Sequence, residues 1–438
     1  MKLAIFTPIV KISAIARATA LVIDALYEKG HAVQIIRTEA PSFFDDPIYD
    51  IFTGALEWND FEAVKNNLED VDGIIYQVGD NYPFHQGSLE WLPKLSGIVC
   101  LHDFFVANLF CAYAKFHAKE AKQLFQAWFG NDNLFFLSYT SSQDFIEGMR
   151  IHSPMTEWIC SMAAGVITHS HWEIERVLSS CPGPVYVTPL PYYDKKQDIV
   201  STKMVDNKDS KFKLLTIGHV NMNKRIDKII ESIGLDPILR EHMAYIIVGF
   251  IDLEMKEKLY TLAKQYQVDL KILGEVDDVT LKQTIIESDA ISCLRWPVLE
   301  AASASAIEGM LYAKPIMVTD AGFYAELPDD YVKKVDPNNE MNAISETLHW
   351  FYENTEKRQR LGLVAQQWAI QTFTPENYAE KLIEMVFAVN KAKSLIEASQ
   401  FFVKMMHEWG SSERLINLKD TLEPLSIFEA DNIKFEGD

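Results

Sequence analysis

The sequence predicts an α/β protein of two domains, each a parallel sheet covered by helices. Three observations predict it. Short β-branched runs alternate with helical patterns through most of the chain, as βαβ units require. That alternation stops at a polar, aromatic-free stretch, KKQDIVSTKMVDNKDS (Lys195–Ser210), and then restarts. Finally, 438 residues are too many for one ordinary core.

The elements follow in order. Strands are predicted near Leu3–Thr7, Ala32–Ile36, Gly73–Gln77, Gly97–Leu101, Gly165–Thr168 and Val185–Thr188. A helix from about Ala14 to Glu28 follows the first strand, with Gly30 where its C-terminal cap belongs. The second block predicts strands Lys213–Ile217, Tyr245–Val248, Lys271–Leu273, Ala290–Cys293 and Pro315–Val318. Helices near Lys224–Ile233 and Leu253–Gln265 lie between them. After about Pro375 the pattern is wholly helical, as in a terminal helix that crosses back onto the first domain. The expected division is 1–195, a linker over 196–210, 211–375, and a helical segment over 376–438. The aromatic-rich stretch Phe116–Tyr139 reads as an inserted helical subdomain with its own core.

Composition narrows the function. Hydrophobic residues at 48% against 24% charged are the balance of a globular protein. A net charge of −21, from 41 basic and 62 acidic residues, argues against nucleic acid as a partner. Five dispersed cysteines without a C-x-x-C suit reduced thiols rather than disulfides or zinc. The opening MKLAIFTPIV reads as a strand rather than a signal peptide. No apolar run is long enough to span a bilayer. A cytoplasmic protein is expected, with peripheral work at the inner membrane face left open.

The chemistry concentrates between Leu294 and Pro328. Glu300 and Glu308 flank AASASAI, and Ser305 with Glu308 forms an S-x-x-E capping box that starts a helix near Ser303–Ser305. That helix follows the Ala290–Cys293 strand, so its positive end faces the ligand crevice, where a phosphate is stabilised. On capping chemistry alone, Glu308 would only cap and Glu300 would be a solvated carboxylate. A second stretch, IGHVNMNKRID (Ile217–Asp227), places Gly218 at a strand end, followed by Lys224 and Arg225. Lysine offers a point charge and arginine a bidentate fork to a diphosphate.

These stretches together resemble the family 4 glycosyltransferases of GT-B fold. The family's E-x(7)-E corresponds to Glu300 and Glu308, its K/G-x-P strand to AKPIMV (Ala313–Val318), and its glycine-to-glutamate loop to GFYAE (Gly322–Glu326). Its G-R-x(n)-K segment corresponds to Gly218–Lys224, with His219 where an arginine is usual. The resemblance implies two Rossmann-like domains facing across a cleft, a sugar-nucleotide donor of unknown base, and retention of configuration without metal. It places Glu300 against the donor sugar and Glu308 on the ribose hydroxyls. Gly218, His219, Lys224 and Arg225 would lie at the diphosphate, with the backbone of Ala302, Ser303, Ala304 and Ser305 cradling donor oxygens.

In the first domain the resemblance sets His102 against the transferred sugar and lets Asp103 orient its loop. His85 and Ser13 are acceptor-side candidates, and Ser170-His171 a weaker one. The first βα loop, Val10–Ala14, departs from the family in having no glycine. Asp70-Val71-Asp72 reads as a solvated turn, so neither a metal nor a cofactor beyond the donor is expected. The acceptor would be a glycan, a lipid-linked sugar or a protein. A sugar-nucleotide epimerase, a phosphorylase and a non-catalytic partner subunit share the fold and are the rival readings.

Overall fold

The computed structural model describes residues 1–130, 142–193 and 211–409. In the first domain, strands β1 (Lys2–Thr7), β2 (Ala32–Arg37), β3 (Leu56–Glu57), β4 (Gly73–Val78), β5 (Ile98–Leu101), β6 (Gly165–Thr168) and β7 (Val185–Val187) form one sheet. Its order is β3-β2-β1-β4-β5-β6-β7. The second holds β8 (Phe212–Ile217), β9 (Met243–Val248), β10 (Asp269–Gly274), β11 (Ala290–Cys293), β12 (Ile316–Thr319) and β13 (Lys333–Val335), in the order β10-β9-β8-β11-β12-β13. All pairings within both sheets are parallel, with Ile5 of β1 set between Ile35 and Ile75. Helices cover both faces, which is why β1, β5, β6, β11 and β12 read as near-continuous apolar runs.

Each sheet reverses its strand order once, between β1 and β4 and between β8 and β11. Ligand crevices of open parallel sheets lie beyond the strand ends at such points.

The first helix, Ala14–Glu28, buries Val22, Ile23 and Leu26, and Gly30 beyond it takes φ +79°, a left-handed conformation glycine adopts freely. The terminal helix, Pro375–Glu408, returns to the first domain. There Tyr378, Leu382, Met385 and Val386 join Leu3, Ile5, Ile98 and Ile167 in one core cluster. A Cβ on Gly165 would stand 2.5 Å from Met385 Cε, and one on Gly73 2.9 Å from Val386 Cγ1. Those two glycines let the helix sit down on the sheet.

Two expectations change. Strands β3 and β13 were not foreseen, being two- and three-residue edge strands too short to show a pattern. The described part of the aromatic segment joins the first domain's main core, where Phe125 packs with Phe110 and Trp158, while 131–139 lie outside the described residues. The linker expected over 196–210 also lies outside them. The two domains touch where Tyr192 N and Tyr193 N donate to Phe373 O at 3.1 and 2.9 Å. They touch again where loops after β5 and β11 pair: Phe105 N donates to Leu299 O (3.1 Å) and Ala301 N to His102 O (3.2 Å).

Candidate active site

The second domain's switch point carries a buried cluster of charge. Lys224 follows β8 and is 4% exposed, its ammonium donating to the Ile217 carbonyl at the strand's end. Gly218, at φ +91°, makes room for it, since a Cβ there would stand 3.0 Å from Lys224 Nζ. Arg295 follows β11 and is also buried. Its Nε lies 3.1 Å from Glu300 Oε1, and its Nη1 donates to Leu294 O at 2.8 Å. The Tyr324 hydroxyl donates to the same Glu300 oxygen at 2.5 Å. Burial first, then the charge of Arg295, holds the Lys224 amine well below the ordinary lysine range. Arg295 is thus matched by Glu300, whereas the depressed Lys224 amine has only a carbonyl for a partner, and an anion arriving here would give it a counter-ion.

The helix Ala304–Leu311 points its N-terminus at this cluster. Its cap is Ser303, whose Oγ accepts from Ala306 N, so the capping box expected from Ser305 and Glu308 does not form. Ser305 Oγ instead lies 3.3 Å from Ser303 Oγ and 3.5 Å from Arg295 Nη2. Among the described residues, the N–H groups of Ala302, Ser303, Ala304 and Ser305 have no hydrogen-bond acceptor. Unpaired N–H groups at a helix start, with the Arg295 guanidinium and the Lys224 amine buried beside them, form a place for an oxyanion. The lysine of AKPIMV serves the scaffold instead. Its Nζ, on Lys314, donates to Ile286 O and Ser288 O, both at 2.8 Å, closing the preceding helix.

Glu308 sits one turn further in. The Tyr192 hydroxyl donates to its Oε2 at 2.8 Å, and Arg17 Nη1 of the first domain donates to that hydroxyl at 2.5 Å. The guanidinium also lies 4.3 Å from the Tyr192 ring centre. Glu308 is therefore tied to the interdomain crossing through Tyr192 and to the first domain through Arg17. Neither residue was singled out from the sequence.

One donor-side expectation is corrected. Arg225 adopts φ +56° and turns away, its guanidinium paired with Glu340 at 2.8 and 2.5 Å. His219 is exposed and packs beside Phe250, with ring centres 5.2 Å apart. Arg295 was missed; its only sequence signal is an arginine two residues past a central strand.

The first domain's loop after β1 needs no glycine because a side chain already occupies its N–H groups. Glu39, fully buried, accepts from Ile9 N (2.6 Å), Val10 N (3.0 Å) and Thr38 N (3.1 Å). Ser13, proposed for the acceptor side, caps the first helix by accepting from Ala16 N. His85 is 1% exposed and accepts from Gly79 N through Nε2, so it faces the domain interior and not the acceptor.

His102 also turns inward. Its Nε2 lies 2.7 Å from Gln77 Oε1 and its Nδ1 3.2 Å from His169 Nε2, while His169 Nδ1 meets the Thr188 carbonyl at 3.1 Å. A carbonyl only accepts, so His169 Nδ1 carries the proton and the neutral chain runs His102 Nδ1–H to His169 Nε2. That chain leaves His102 Nε2 an acceptor, so the Gln77 amide is read with its oxygen and nitrogen exchanged and its NH2 donating to Nε2. With both ring nitrogens engaged inside the domain, His102 does not turn its ring to the cleft as expected, and its carbonyl accepts from Ala301 N at 3.2 Å. Asp103 stands opposite Glu300 across the domain contact and accepts from Asp80 N at 2.9 Å. Burial, opposed by that N–H and aided by Glu300, pushes its carboxyl up to about 6.

These buried imidazoles make acid stability a test of the geometry. Burial lowers His169 to about 4 and His85 to about 3. The folded values lie below the unfolded value of about 6.5, so the stability they carry is complete above that pH and lost as pH falls toward the folded values. Each such group contributes a slope of about 1.4 kcal/mol per pH unit. His169→Gln should therefore lose about 2 kcal/mol less than the wild type between pH 6.5 and 5, measured by urea unfolding.

Remaining candidates are structural. His171 is exposed, with its N and Nδ1 at 3.0 and 3.3 Å from Glu326 Oε2, a contact between the domains. Asp72 accepts from Lys2 N at 2.7 Å in a turn. Among the described residues no three His, Cys, Asp or Glu side chains gather as metal ligands.

Known proteins fit this frame. No curated protein sequence matches the chain. A sucrose-phosphate synthase from Thermosynechococcus elongatus superposes with a TM-score of 0.61 at 14% identity, over 90% of this chain and all (100%) of that one. A glycosyltransferase from Rickettsia africae gives 0.59 at 14%, over 89% and 98%. Anabaena HepE in complex with UDP-glucose gives 0.56 at 15%, over 88% and 99%. At these identities the likeness shows the fold, and the fold is GT-B. The model of the family Glycosyl transferases group 1 matches residues 201–368, the stretch that carries Lys224, Arg295, Glu300 and Glu308.

Proposed function

We propose that this protein transfers a sugar from a sugar nucleotide to a hydroxyl acceptor, with retention of configuration and without a metal ion. One observation carries the reading: the buried Lys224–Arg295–Glu300 cluster at the N-terminus of helix Ala304–Leu311, its lysine without a counter-ion, in the cleft of a GT-B frame. A departing nucleoside diphosphate supplies that counter-ion. Lys224, Arg295 and the free N–H groups stabilise it as the glycosidic bond to phosphate breaks, which is catalysis by fixed charge and position. Glu300 then faces the sugar, held by Arg295 and Tyr324, and the leaving phosphate takes the acceptor's proton. Glu308 receives the ribose hydroxyls, and the HepE complex with UDP-glucose supports a nucleotide donor of this kind.

The site fits a cytoplasmic enzyme of glycan or glycoconjugate assembly, working on a glycan, lipid-linked or protein acceptor. Among the described residues no helix is long and apolar enough to cross a membrane. A panel of sugar nucleotides, scored by released nucleotide with and without acceptors, tests the reading. Acceptor-dependent release supports it. Conversion of donor without acceptor would indicate an epimerase, and a need for free phosphate a phosphorylase. No turnover with any donor would favour a non-catalytic subunit.

Tyr192 gives a finer prediction. Tyr192→Phe removes the hydroxyl that orients Glu308 but leaves the ring under Arg17. A hydrogen bond to a charged group contributes about 1.5 kcal/mol, so donor KM should rise about tenfold with kcat little changed. Steady-state kinetics at saturating acceptor measures it.

A further inference from the structure

Outside the cleft, the second domain has a groove of about 670 Å³ along helix Thr355–Thr372, walled by the Asp329–Lys333 loop and by Trp350. Its lining residues on that helix run from Lys357 to Gln371, about four turns or ~21 Å. Three cations line it: Lys333, Lys357 and Arg360. Among the described residues none of the three forms an ion pair, and Lys333 Nζ rests over the Trp350 ring at 4.0 Å. Asp329 is neutralised by Lys334 at 2.7 Å, which leaves Asp330, among the described residues, as the one unpaired carboxylate lining the groove. Three cations facing one carboxylate stand out on a chain of net charge −21.

The groove is also aromatic. Tyr331 and Trp368 lie nearly parallel, ring centres 5.1 Å apart and planes at 20°, and both are half-buried. Flat ring faces beside amide and charged groups suit a ligand with apolar C–H faces and many hydroxyls, which is the surface of a sugar ring. Gln367 and Gln371, both exposed on the lining face, supply donors and acceptors for those hydroxyls. The cations select among sugars for those carrying negative charge.

We propose that this groove binds an anionic saccharide, one bearing carboxylate, sulfate or phosphate groups, at a site separate from the cleft. Asp329 lies five residues from Tyr324, the partner of Glu300, so the groove's edge is within about 18 Å of the donor cluster by chain reach. At its other end Trp368 packs edge-on against Phe373, whose carbonyl accepts from the interdomain crossing. A glycan long enough could occupy groove and cleft together, which rests on the transfer reading; binding in the groove does not.

The test is calorimetric titration of the full chain with an oligogalacturonate, a heparin-derived octasaccharide, maltoheptaose and inorganic phosphate. Lys357→Glu/Arg360→Glu is the variant, both positions being exposed and outside the cleft. At least one anionic oligosaccharide should bind, with Kd raised about tenfold or more in the variant, and maltoheptaose should bind more weakly by a similar factor. Nucleotide release from the donor should be unchanged in the variant. The proposal fails if neither anionic oligosaccharide binds the wild type, if the variant binds them equally, or if phosphate alone displaces them at equal concentration. An inactive cleft with an intact anionic-saccharide response would refute the transfer reading and leave this site standing.

Discussion

Lys224→Ala is expected to lower kcat about a hundredfold or more, since removing one preorganised contact to developing charge costs about 2.7–4 kcal/mol in the barrier. The size of the effect follows from where the ammonium sits. It is buried, fixed by the Ile217 carbonyl at the end of β8, and within the field of the Arg295 guanidinium. A surface lysine would be screened by water and worth far less. Lys224→Met keeps the aliphatic stem and should lose as much as alanine does, which separates lost charge from lost packing. Circular dichroism and urea unfolding should show both variants folded.

The same environment implies a proton linkage. Without an anion, burial and Arg295 depress the Lys224 amine; a bound diphosphate would restore its charge. Donor binding should therefore take up protons and weaken as pH rises above the depressed value. Calorimetry in buffers of different ionisation enthalpy reads this directly, and Lys224→Met should abolish the uptake.

Glu300→Ala is the second large effect, again about a hundredfold or more in kcat. Its Oε1 already accepts from Tyr324 and pairs with Arg295, so the side chain cannot swing without breaking both contacts. Removing it leaves Arg295 buried without its paired carboxylate, a cost in stability as well as in rate. Glu300→Gln keeps the shape and the Tyr324 contact. It should recover most of the stability but little of the turnover, which distinguishes a role toward the sugar from a purely structural one.

Much of the fold is legible in the sequence because the relevant signals are local and periodic. The buried strands announce themselves by β-branched runs, and a parallel sheet with one order reversal fixes where loops such as Gly218–Lys224 and Arg295–Ser305 must converge. Glu300 and Lys224 are found that way, and they do share one cluster. What failed depends on backbone conformation and on partners distant in sequence. Arg225 looks equivalent to Lys224, but a left-handed φ aims it at Glu340, 115 residues away. The glycine-free first loop makes sense only through Glu39, 30 residues from Ile9, which occupies its N–H groups. His102 and His85 read as cleft residues from their positions at strand ends. Inside the domain His102 instead meets Gln77 and His169, and His85 accepts from Gly79 N. Arg295, Tyr192 and Arg17 belong to no short motif, and their importance exists only once β11, the interdomain crossing and the first helix meet.

The most direct measurement is a crystal structure of the chain with a nucleoside diphosphate. The account predicts phosphate oxygens within hydrogen-bond distance of Lys224 Nζ, the Arg295 guanidinium and the N–H groups between Ala302 and Ser305, with a ribose hydroxyl on Glu308. A diphosphate bound elsewhere, with Lys224 still on Ile217 and Arg295 still on Glu300, would contradict it.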